Sequence, residues 1–185
     1  METSNLSRPF TVLSTLAILT ALFSVCAGAA DTNSALAAGQ KAPGFQATTI
    51  DGKTIKFPDA YKGKVVLLDF WATWCGPCRA EMPNVAAAYQ RFHSLGFEVL
   101  GVSLDRANAT AKIAEFTRDN NMPWPQIYDG KFWQASLAQA YNIHSIPRPI
   151  LVDGDTGLIL AEGTEARGRH LAPAIEKALA AKKKN

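Results

Sequence analysis

The run Val65-Val66-Leu67-Leu68-Asp69-Phe70-Trp71 carries one charge and no apolar–polar alternation. A strand with one wet face alternates, whereas a continuous apolar run marks a strand covered on both faces. The chain must therefore build a sheet with this strand inside it and helices on either side. Soon after Trp71 come Cys75-Gly76-Pro77-Cys78, and then a helical pattern from about Pro77 to Leu95. Proline suits the first turn of a helix. The cysteine pair thus falls at a strand-to-helix junction, where an α/β sheet presents its chemistry.

The remaining pattern predicts a mixed sheet. A hairpin runs from Phe45 to Ile50, turns at Asp51-Gly52 and returns over Thr54 to Phe57. Tyr61 to Lys64 reads as a loop. Pro83 is expected to kink the helix after the cysteines, and Gly96 to end it. Phe97 to Leu104 is a second buried strand, and Asn108 is expected to cap a helix reaching about Asn120. A short strand at Gln126 to Tyr128 and a helix from Phe132 to Tyr141 follow. Pro149 to Asp153 and Leu158 to Glu162 form a second hairpin, and a last helix covers Gly168 to Ala181.

The N-terminus reads as an address. Phe10 to Val25 is apolar and uncharged, with Arg8 before it and Ala27-Gly28-Ala29-Ala30 after it. That order is the pattern of a secretory signal, with cleavage expected after Ala29. An uncleaved anchor or lipidation at Cys26 are the alternatives, and all three export the domain. The expected organisation is a signal over 1–29, a linker over 30–40 and one domain over 41–185. Roughly 140 residues suffice for a core without staples.

Composition excludes several classes. With 48% hydrophobic and 19% charged residues, the chain is neither disordered nor a multi-span membrane protein. A net charge of +3 without a basic stripe does not point to nucleic acid. Three cysteines make no disulfide framework, and a single CxxC falls short of the four ligands of a structural zinc site. His93, His144 and His170 lack metal-ligand spacing. No metal and no cofactor are expected.

The pair is suited to thiol–disulfide exchange. Free N–H groups at the helix start favour a thiolate on Cys75, and Cys78 lies one turn on, within reach of it. A thiolate opens a substrate disulfide and the second thiol resolves the mixed disulfide. Asp69, a lone charge in a buried strand, either has a raised pKa and could take the proton of Cys78, or is a strand-end residue facing water. Glu81 shares the helical face of Cys78 and either tunes the thiols or faces water. Trp71 reads as core, Trp74 as a surface ring beside Cys75 that contacts substrate, and Trp124 and Trp133 as packing.

Asp69 to Pro83, DFWATWCGPCRAEMP, resembles the active site of thioredoxin-fold proteins, and the Arg-x-Glu-x-Pro tail resembles the exported TlpA/ResA-like thiol–disulfide oxidoreductases. The resemblance covers about residues 41 to 181. It includes Trp124-Pro125-Gln126, Tyr128-Asp129-Gly130 and Tyr141 to Pro147. It implies a thioredoxin-like α/β fold with an N-terminal hairpin and a central insert. It also implies a cis Pro147 facing the cysteines and an Ile146 backbone offered to substrate, with Asp69 and Glu81 as the acids near the thiols. Arg148-Pro149 departs from the family pattern after the cis proline, and leaves substrate preference open. Gly76-Pro77 matches cytoplasmic thioredoxin more than exported relatives, and argues for a reducing potential.

The expected function is reduction of protein disulfides in the periplasm or an equivalent space, with a membrane partner as electron donor. The resemblance suggests cytochrome c maturation as one use. A monomer is favoured. Two alternatives stay open. One is a thiol peroxidase, although Ala72 stands three residues before Cys75 where such an enzyme wants Thr. The other is a non-enzymatic binding or chaperone module with a structural CxxC.

Overall fold

Strand β3 (Val65–Trp71) is the middle strand of a five-stranded sheet, and all seven of its residues are buried. The structure is a computed structural model that describes residues 36–183 and the first two residues. β4 (Phe97–Ser103) lies parallel to β3, in register from Val65–Phe97 to Trp71–Ser103. β6 (Arg148–Asp153) lies antiparallel on the other side, from Phe70–Arg148 to Val65–Asp153. β5 (Gln126–Tyr128) extends the sheet beyond β4, and β7 (Ile159–Glu162) beyond β6. The order is β5-β4-β3-β6-β7. Neighbours on both edges and cover on both faces explain why β3 reads as an unbroken apolar run.

A parallel β3–β4 pair needs a crossover, and α1 (Gly76–Phe92) supplies it. The helix continues through Pro83 and tightens into a 3₁₀ turn over His93–Leu95. Gly96 ends it at φ +105°, a backbone that favours glycine. Gly101 in β4 answers a different demand. A Cβ there would lie 2.0 Å from Oε1 of Gln126, whose side chain fills that space. The same oxygen accepts a 2.9 Å hydrogen bond from the Trp71 indole, so β3, β4 and β5 are tied below the cysteine loop.

β1 (Phe45–Thr48) and β2 (Thr54–Phe57) form a separate antiparallel hairpin. Ile50 N–H donates to the Gln126 carbonyl at 2.8 Å and attaches the hairpin to β5. Phe45 stacks on Phe57 at 5.1 Å, and the Tyr141 hydroxyl donates to the Pro43 carbonyl. Residues 37–41, within and beside the expected linker, form a turn bonded to β7. Gly39 N–H donates to the Ile159 carbonyl, and Ile159 N–H to the Gln40 carbonyl, both at 2.8 Å.

Three elements differ from expectation. α2 (Thr110–Asp119) starts after Ala109, and Asn108 does not cap it. Asn108 takes φ +67°, and the Ala109 N–H donates instead to the Tyr128 hydroxyl at 2.9 Å. The helix expected over Phe132–Tyr141 is split into a 3₁₀ turn, Phe132–Gln134, and α3 (Ser136–Ala140), with Ala135 extended between them. Asp129 causes the split, because its carboxylate accepts from both Lys131 N–H and Ser136 N–H. The last helix, α4 (Leu171–Lys182), follows a 3₁₀ turn at Gly168–His170. Two further 3₁₀ turns, Asp59–Tyr61 and Gly163–Ala166, occupy segments with no helical pattern.

Residues 36–183 belong to one compact unit. The expected signal over 1–29, with Cys26, lies outside the described residues apart from its first two. Among the described residues no helix is long and apolar enough to cross a membrane.

Candidate active site

β3 ends and α1 begins around Cys75. Its N–H donates to the Ala72 carbonyl at 3.1 Å, and its own carbonyl accepts from Arg79. Cys75 is the N-cap residue, and its sulfur accepts from the Cys78 N–H at 3.1 Å. The two cysteines are joined in a disulfide, with Cα atoms 5.2 Å apart. Cys75 keeps 5% of its surface exposed and Cys78 none. When the pair is reduced, the amide donors and positive end of α1 favour the thiolate of Cys75 over that of a free cysteine.

Asp69 is 3% exposed, and its Oδ2 has no hydrogen-bond partner. Burial pushes its pKa up to about 7, and the negative charge of Glu81 adds to the rise. Asp69 pairs across the sheet with Pro149, which has no N–H, and with Gly101. Nothing polar from those two positions reaches its side chain. Glu81 is half-buried rather than free in solvent. It accepts from the Gly168 N–H at 2.6 Å and from Asn84 at 3.3 Å, so it also ties α1 to the segment before α4.

A second buried acid escaped the sequence reading. Asp105 is 2% exposed and accepts from the Thr73 N–H at 3.0 Å, the Thr73 hydroxyl and the Ser103 hydroxyl at 2.8 Å. It fixes the backbone two residues before Cys75. The available signal was position: Ser103 and Asp105 sit where the parallel strand β4 ends, on the side that carries chemistry.

Across from the disulfide, the Ile146–Pro147 bond is cis. The Ile146 carbonyl oxygen lies 3.8 Å from Sγ of Cys75. A groove of about 350 Å³ beside it is lined by Ser145, Ile146, Pro147, Arg148, Thr164 and Arg167, among others. Arg148 does not bring an unopposed charge there, because its guanidinium pairs with Glu162 at 2.5 Å. Trp74 is 43% exposed, and its ring centroid lies 5.3 Å from that of Phe132 and 6.1 Å from that of Trp133. Trp71 and Trp124 are core, as expected, but Trp133 is half-buried and belongs with Trp74. Among the described residues no three His, Cys, Asp or Glu side chains converge as a metal site.

A thioredoxin-like sheet with a cysteine pair at the start of the crossover helix, facing a cis-proline loop, defines the thiol–disulfide oxidoreductase class of fold and site. The model of the AhpC/TSA family matches residues 38–160, and the chain belongs to that family. It is 31% identical over 121 residues to the thiol-disulfide oxidoreductase ResA of Bacillus thuringiensis subsp. konkukian, covering 65% of this chain and 66% of that relative. It is 32% identical over 144 residues to ResA of Geobacillus kaustophilus, covering 74% and 78%. The thioredoxin domain of a thiol-disulfide oxidoreductase from Bacteroides vulgatus superposes with a TM-score of 0.67 at 35% identity, covering 78% of this chain and 99% of that one.

Proposed function

We propose that the chain is an exported reductase of protein disulfides that works through Cys75 and Cys78. The observation that carries this reading is the Cys75–Cys78 disulfide at the start of α1, with its more accessible sulfur 3.8 Å from the Ile146 carbonyl. In the reduced protein, the Cys75 thiolate attacks one sulfur of a client disulfide. A bond forms between Cys75 and that sulfur, and the other client sulfur leaves as a thiolate. Cys78 then loses its proton to Asp69 and attacks Sγ of Cys75. The Cys75–Cys78 disulfide forms, and the client leaves as a dithiol, two electrons richer. Trp74, Ile146 and Pro147 flank the attacking sulfur and receive the client chain.

The return to the dithiol needs a donor, for which a membrane dithiol protein is the partner we infer. The reducing direction rests on Gly76-Pro77, and export rests on the N-terminal apolar run. Maintenance of apocytochrome thiols is one use consistent with a ResA-like chain. A peroxidase reading finds little support in the site. Ala72 stands where the hydroxyl is wanted, and the nearby Thr73 hydroxyl is bonded to Asp105. The test is insulin reduction by the purified protein with dithiothreitol, together with the redox potential of the pair. Catalysed reduction and a potential near the roughly −270 mV of thioredoxin are expected. A potential near about −120 mV, the value of a strong oxidant, would contradict the direction.

A further inference from the structure

The aromatic side chains beside Cys75 form a shelf that the exchange chemistry does not require. Phe132 and Trp133 stand 5.7 Å apart, and both contact the exposed ring of Trp74. The Arg106 guanidinium lies 3.9 Å over the Phe132 ring.

The shelf is rigidly built. Loop 105–109 and loop 129–133 are joined by an antiparallel bridge between Arg106 and Lys131. The Tyr128 hydroxyl donates to the Arg106 carbonyl at 2.6 Å and accepts from Ala109 at 2.9 Å. Asp129 holds the N–H groups of Lys131 and Ser136, and Gln139 donates to the Trp133 carbonyl at 2.7 Å. Gly130, at φ +74°, lets the loops meet, since a Cβ there would lie 3.2 Å from Cα of Ala107.

Within this frame Phe132 takes φ +58°, a backbone that bulky residues avoid. Such strain persists only where the surroundings over-determine it, and it clusters at binding sites. Core packing does not demand it here, because Phe132 is only half-buried and is not part of the hydrophobic core cluster.

Charge specifies what the shelf takes. Among the described residues, neither Arg106 nor Lys131 forms an ion pair. The nearby acids are committed elsewhere: Asp129 to backbone N–H groups, and Asp105 to Thr73 and Ser103. Arg106, and Lys131 next to Phe132, thus border the aromatic shelf without an ion-pair partner among the described residues.

We propose that this shelf docks the client segment next to the attacked disulfide, and selects one in which an aromatic side chain adjoins a carboxylate. The ring stacks against Trp74, Phe132 and Trp133, and the carboxylate meets Arg106 and Lys131. The inference rests on the exchange reading above and names the kind of client that reading leaves open.

The test uses the reduced purified protein and three synthetic peptides with the same disulfide ring, flanked by Phe-Glu, Phe-Lys or Ala-Glu. Bis(2-hydroxyethyl) disulfide, small and neutral, reports exchange without docking. Expected is a kcat/KM preference of about three- to tenfold for Phe-Glu over Phe-Lys, the range set by exposed charge pairs. The double variant Arg106→Glu, Lys131→Glu should reverse it, with the hydroxyethyl rate unchanged. Phe132→Gly should lose the preference for Phe-Glu over Ala-Glu without lowering the unfolding midpoint, because glycine relieves the backbone. Equal rates with all three peptides, beside a normal hydroxyethyl rate, would overturn the shelf and leave the exchange reading standing. A preference for Phe-Lys would also overturn it and assign a basic client. No reaction with any disulfide would sink both readings.

Discussion

The carbonyl oxygen of Ile146 lies 3.8 Å from Sγ of Cys75, although 71 residues separate them in the chain. The contact exists because β6 runs antiparallel to β3, so the start of one meets the end of the other. The Ile146 backbone therefore stands beside the sulfur that the proposed mechanism makes the nucleophile.

Replacing Asp69 with Asn should stabilise the protein and slow the resolving step. The folded-state pKa of about 7 exceeds the unfolded value near 3.8. Folding therefore retains a proton between those pH values, and stability falls as pH rises through that window. Above pH 7 the charged, unpartnered carboxylate costs up to about 4 kcal/mol, and Asp69→Asn removes that cost. Urea unfolding at pH 5 and pH 8 checks the sign: the variant's advantage should grow with pH. Rapid mixing should show the resolving rate falling below about pH 7 in the parent and flat in the variant.

Asp105→Ala should destabilise the chain by about 2–4 kcal/mol, because it strands the buried donors of Thr73 and Ser103. Loosening the backbone before Cys75 should also shift the redox potential. Denaturant unfolding and equilibration with glutathione measure the two. An unchanged potential would mean that Asp105 serves the fold alone.

Gly101→Ala should cost about 1–3 kcal/mol, the usual range for overpacking. Its Cβ would strike the Gln126 side chain, which cannot swing away without releasing the Trp71 indole. Gln126→Ala in the same chain should recover part of the loss, and a double-mutant cycle reads the coupling.

Much of the sheet was legible because burial on both faces leaves an unmistakable apolar run, as in Val65–Trp71. Cys75 and Cys78 were legible because their chemistry is written in spacing at a strand-to-helix junction. Thr73 and Asp105 were not, since two polar residues 32 apart in the chain meet only through the β3–β4 register. The break at Ala135 was hidden for a similar reason: Asp129 ends one turn and starts the next from outside both. The Arg148–Glu162 ion pair was hidden likewise, because Glu162 comes from the next strand.

The most direct test of the account is trapping with Cys78→Ser in cells. With the resolving thiol gone, the mixed disulfide on Cys75 cannot be released from within the site. The account predicts that extracytoplasmic proteins accumulate in disulfide linkage to Cys75, and that they vanish when Cys75 is also replaced. An expressed and exported Cys78→Ser protein that captures no partner would contradict it.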